Sequence, residues 1–156
     1  MLSILPNILV ATSNISVILP LYQSIINQDY LTTTAISFVG SMSFVSHLVE
    51  NHKHGMFGVG LPRYISVLTN KLDVFGAIMA GIRFGYMYYQ IFGFDVGYLV
   101  CNHRGFLLGS FLTLLLGFIS EYDKYNPKLK LQYIITHCFW HTGIYLSMYY
   151  FLKNIV

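Results

Sequence analysis

The chain has 156 residues, of which 55% are hydrophobic and only 10% charged, and its mean hydropathy is +0.59. A soluble domain carries about 25% charged residues, so an ordinary water-facing globule is excluded. Disorder, which needs low hydrophobicity and high net charge, is excluded too.

The first 28 residues hold no Asp, Glu, Lys or Arg. No basic segment precedes their apolar stretch, so they read as a first membrane span rather than a cleaved signal. A span needs roughly 20 mostly apolar residues. Span one is expected at Leu5–Ile26, with a kink at Pro20. After the turn Asn27-Gln28-Asp29, span two runs Tyr30–Val49 and ends at Glu50, read as an interfacial charge. A solvated polar loop follows, with His52, Lys53, His54, Arg63 and Lys71. Span three covers Asp73–Ile91 and is interrupted by Arg83, whose partner the sequence does not name. The segment Phe92–Arg104 is too short and polar to count, and His103 reads as a loop residue. Span four is Gly105–Ser120, a loop carries Lys124, Lys128 and Lys130, and span five is Leu131–Leu152.

The expected fold is therefore all-α: a polytopic transmembrane bundle of five spans, residues 1–156 forming a single integral membrane domain. The basic loops after spans two and four fall on one side. The positive-inside rule then puts the N-terminus in the cytosol and the C-terminus outside. Aromatics make up 17% of the chain. Tyr86, Tyr88, Tyr89, Tyr149 and Tyr150 would form a belt at the outer interface. Net charge is +3 with no Lys/Arg run, so no nucleic-acid partner is expected. Cys101 and Cys138 lack CxxC spacing and leave the redox compartment open.

Ionisable groups inside spans are costly and mark function by default. Here they are His47, Asp73, Arg83, His137 and His141. His137 and His141 are four residues apart, as are Ser43 and His47, so each pair shares a helix face. At about 1.5 Å per residue, His47 lies roughly 5 Å from the inner end of its span. His137 and His141 lie roughly 9 and 15 Å from the inner end of theirs, and Asp73 starts span three. All can meet in the inner leaflet. Three neutral imidazoles suit Zn2+, which takes three protein ligands plus water in catalytic sites. Asp73 would be a fourth ligand, or would hold the zinc-bound water and accept its proton. Ser43 would bond that water or a developing oxyanion. The water would be the nucleophile. The substrate expected for such a site is a membrane lipid amide or ester.

These residues resemble a known family. Ser43-x-x-x-His47, then Asp73, then His137-x-x-x-His141 in the last span is similar to the pattern of the CREST superfamily. That group holds seven-span alkaline ceramidases, progestin and adipoQ receptors and myomaker-like proteins. Lys71-Leu72-Asp73-Val74-Phe75-Gly76 resembles the receptor branch, and His137-Cys138-Phe139-Trp140-His141 the ceramidase branch. The resemblance implies zinc on His47, His137 and His141, with Asp73 and Ser43 on the metal-bound water. It also implies hydrolysis of a sphingolipid or another acyl lipid. Five spans instead of seven would remove one helical pair between Asp73 and the last span, which preserves parity but opens the pocket wall. Two alternatives stand beside the ceramidase-like hydrolase: a non-enzymatic, receptor-like protein that keeps the metal for structure, and a haem-binding bundle using His47 with His137 or His141.

Overall fold

A computed structural model describes residues 4–156, and among them every regular element is helical. α1 (Leu5–Ser13) runs through a 3-10 segment (Asn14–Val17) into α2 (Ile18–Ile26). The irregularity comes before Pro20 rather than at it. Proline lacks an N–H and its ring crowds the carbonyl four residues back, which here belongs to Ser16 in the tightened segment. Asp29 then caps α3 (Tyr30–Val49), its side chain accepting from the Thr32 N–H at 3.0 Å.

α4 spans Arg63–Phe92, ten residues more at its start than the expected third span. Arg63 and Lys71, assigned above to a loop, lie on its exposed surface. Charge on a solvated face does not end a helix; Pro62 before it and Gly93 after it do, the latter at φ +61. The uncertain segment Phe92–Arg104 contains a short helix, α5 (Val96–Asn102), capped by Asp95. The chain bends by 105° into α6 (Arg104–Ser120). α7 (Lys130–Asn154) closes the fold.

The broken first rod lies between α3 and α7 and touches both. α4 leans on α3, and α6 leans on α7. Close approach at the centre needs Gly40, where a Cβ would sit 2.8 Å from Val17 Cγ2. At the end away from the α3–α4 loop, Ile36, Met87, Leu99, Phe151, Leu152 and Ile155 form one apolar core. Arg83 finds its partner there. Its Nη2 donates to Asp29 Oδ2 at 2.6 Å, and its Nε to Thr32 Oγ1 at 2.8 Å. Burial would raise the Asp29 carboxyl, but Thr32 and Arg83 hold it below its ordinary value. The residue that interrupts the apolar run of α4 thus ties the start of α3 to α4.

The expectation of five spans narrows on inspection of the helices. Two rods are long and apolar enough to cross a membrane, Leu5–Ile26 and Arg63–Phe92. The bent pair α5–α6 makes a third if it is one broken span. α3 and α7 fall short by composition, not by length, at 20 and 25 residues. α3 is diluted by hydroxyls and His47, and α7 by Gln132, two histidines and several tyrosines. Much of that polarity points inward: Thr32, Ser43, Ser46 and His47 on α3 are buried, as are His137 and His141 on α7.

Candidate metal centre

α3 and α7 bring three imidazoles together. His47, His137 and His141 are 1%, 6% and 3% exposed, so the cluster is shielded from bulk water. One ring nitrogen from each lies within 4.8 Å of the others. His47 Nε2 and His137 Nε2 are 3.1 Å apart. A zinc ion bonded at about 2.0–2.1 Å to tetrahedrally disposed nitrogens sets them at about this spacing. The donor set therefore fits a single cation, and these three residues could bind a metal.

Asp73 and Ser43 border the cluster. Asp73 Oδ2 lies 3.7 Å from His47 Nε2. Ser43 Oγ lies 3.2 Å from His141 Nε2. Asp73 sits on α4 and is 15% exposed, on the side of the cluster where α3 meets α4. Ser43, His47, Asp73, His137 and His141, the residues given site roles from the sequence, thus occupy one neighbourhood, and Arg83 lies outside it on Asp29 and Thr32.

Several neighbours were not foreseen. Each Nδ1, on the far edge of its ring, has a partner of its own. Ser13 Oγ lies 2.7 Å from His141 Nδ1, and Ser120 Oγ lies 2.9 Å from His137 Nδ1. Glu50 Oε2 is 3.3 Å from His47 Nδ1, and the Tyr133 hydroxyl is 3.2 Å from it. Tyr133 also donates to Glu50 Oε2. Glu50 is not an interfacial charge: it is fully buried. Burial pushes its carboxyl up, but hydrogen bonds from His47 and Tyr133 and the nearby Lys53 ammonium hold it below its ordinary value.

The loop between α3 and α4 folds back over this end instead of standing in solvent. Lys53 is buried, with its ammonium 2.8 and 2.9 Å from the Glu121 carboxylate and 3.8 Å from Glu50 Oε1. His54, expected in a solvated loop, is 1% exposed and stacks on Tyr133 at 4.5 Å. His52 is half-buried and its Nδ1 meets Ser66 Oγ at 2.6 Å. Asn7 of α1 pins the loop, donating to the carbonyls of His47 and Glu50 and accepting from the N–H groups of Phe57 and Gly58. Gly58 is required here: its φ is +61, and a Cβ would stand 2.5 Å from the Val49 carbonyl oxygen.

Fold and site define an all-helical protein with a buried three-histidine cluster. The chain is 49% identical over 150 residues to the uncharacterized protein L282 of Acanthamoeba polyphaga mimivirus, covering 96% of this chain and 98% of that protein. It belongs to the same family as that viral protein. No family model matches the chain, and no solved structure does.

Proposed function

We propose that the chain is an integral membrane zinc hydrolase of a lipid amide or ester, built on the plan of the CREST superfamily. The carrying observation is the convergence of His47, His137 and His141 beside Asp73 and Ser43 within a bundle whose outer surface is apolar. α3 and α7 cross the membrane with the other rods, because their buried polar groups face one another while Phe38, Phe44, Ile135, Phe139 and Leu146 face outward. Five crossings put the N-terminus and the basic loops in the cytosol. Zinc held by the three imidazoles would supply Lewis acidity, lowering the pKa of water to about 7.

The protein's own groups complete the chemistry. Asp73 orients the attacking water through Oδ2, takes its proton and passes it to the leaving nitrogen or oxygen as the C–N or C–O bond breaks. Ser43 donates to the oxygen that becomes negative as the carbonyl is attacked. Lipid reaches them laterally, along the side of the cluster where α4 carries Asp73. One observation favours a second reading, a non-enzymatic membrane protein with a structural metal: the folded-back loop and the depth of burial leave the three rings almost closed to water.

Lipid turnover separates the two. Purified protein in lipid nanodiscs should release fatty acid from ceramide or from a phospholipid. His141→Ala, shown by circular dichroism to keep its helices, should release at least 100-fold less. Equal release by both proteins would contradict the hydrolase reading.

A further inference from the structure

The partners at the far edges of the three rings carry an inference of their own. A serine hydroxyl has one proton to give, and a backbone carbonyl can only accept. Ser13 Oγ lies 2.6 Å from the Val10 carbonyl, and Ser120 Oγ lies 2.7 Å from the Gly117 carbonyl. Both are back-bonds to the residue three positions earlier. With its proton committed there, each serine oxygen can only accept from the imidazole against it. His141 and His137 must therefore carry their proton on Nδ1.

His47 is set by a different device. The Tyr133 hydroxyl donates to Glu50 Oε2, and both oxygens face His47 Nδ1. Phenol oxygen and carboxylate together accept one N–H. In all three rings the proton is on Nδ1 and the lone pair is on Nε2 (the neutral imidazole has one of each). The lone pairs then point at one another, with 3.1 Å between the Nε2 atoms of His47 and His137. That crowding repels until a cation sits among them.

We propose that Ser13, Ser120 and Glu50 are positioning residues that fix the tautomers of the three histidines, making the cluster a preset tridentate cation site before an ion arrives. Two of the three lie on helices that supply no ring, Ser13 at the end of α1 and Ser120 at the end of α6. The first rod and α6 thereby take part in metal binding without touching the metal. The proposal rests on the metal reading above but not on hydrolysis.

The test uses the full-length protein in detergent, with Co2+ as the probe. Affinity is read from the visible absorption of bound Co2+ in competition with a chelator. Tautomers are read by nitrogen NMR of 15N-histidine in the metal-free protein. The informative variants are Ser120→Thr against Ser120→Val, and Ser13→Thr against Ser13→Val. Thr and Val share a shape, but only Thr keeps the hydroxyl. The Thr variants should keep wild-type affinity. The Val variants should lose about 10–100-fold, the usual cost of removing the partner of a ligating histidine. In Ser120→Val, His137 should show the Nε2–H form, and Glu50→Gln should loosen His47 in the same way. Equal affinity of Thr and Val variants, whether high or low, would overturn the proposal. So would a metal-free wild type whose His137 carries its proton on Nε2. A wild type that takes up no Co2+ overturns the metal reading and this proposal together, whereas failure of lipid turnover alone leaves both standing.

Discussion

Zn2+ should raise the melting temperature of the wild-type chain, and replacing His137 by Ala should abolish that rise. An ion that binds only the folded state stabilises it by RT ln(1 + [L]/Kd), about 2.7 kcal/mol at a hundredfold excess over Kd. With His137 gone, two nitrogens remain and Ser120 loses the ring it holds. Affinity should then fall by more than the roughly 10–100-fold expected for a positioning residue. The metal-free protein should behave otherwise. There, with the tautomers proposed above, the substitution removes one of two lone pairs held 3.1 Å apart, which offsets part of the cavity left by the ring. The deficit of His137→Ala should therefore be small in chelator and should grow by about 2–3 kcal/mol when Zn2+ is added. Thermal melts of both proteins, with chelator and with Zn2+, make the comparison. A zinc-induced shift of the same size in both would contradict it.

Asn7→Ala should be among the most damaging single changes in the chain. Asn7 is fully buried, and its amide uses all four of its hydrogen-bonding positions. Nδ2 donates to the His47 and Glu50 carbonyls at 2.8 Å each, and Oδ1 accepts from Gly58 N at 3.1 Å and Phe57 N at 3.4 Å. Alanine leaves two carbonyls and two N–H groups without partners at one place. Each buried orphan costs about 1–3 kcal/mol, and local relaxation recovers part of the sum. The expected loss is about 3–5 kcal/mol, at the upper end for a point substitution. The consequence reaches the site, because the freed carbonyls belong to His47 and Glu50. Chemical denaturation of Asn7→Ala in detergent measures the loss. A deficit under 1 kcal/mol would mean that the α3–α4 loop is not pinned through this side chain.

The helices were legible where pattern and punctuation agree. Asp29 before a 20-residue apolar stretch marked the start of α3, and its bounds were read as they stand. The i, i+4 spacing of His137 and His141 needed no tertiary information. What escaped was set by long-range contacts. Arg63 and Lys71 suggested a loop, yet charges on an exposed face leave a helix intact. Glu50 beside a basic loop looked like an interfacial charge, because nothing local announces that residues 51–62 fold back over it. Ser13 and Ser120 are isolated hydroxyls, 128 and 17 residues from the rings they meet. The partner of Arg83 stands 54 residues earlier, across the α3–α4 pair. The count of five spans took α3 and α7 as crossings, whereas only Leu5–Ile26 and Arg63–Phe92, with the bent pair α5–α6 as a third, are long and apolar enough to span. Much of the polarity that sets α3 and α7 apart is buried, which sequence averages do not register.

The central claim is that three imidazoles from two helices share one cation. X-ray absorption at the zinc edge, with elemental analysis of the purified protein, tests it most directly. The account predicts one zinc per chain, bound to nitrogen at about 2.0–2.1 Å with no sulfur neighbour, and no zinc retained when His47 is replaced by Ala. A chain without zinc, a sulfur ligand from Cys138 or Cys101, or zinc unaffected by the loss of His47 would contradict it.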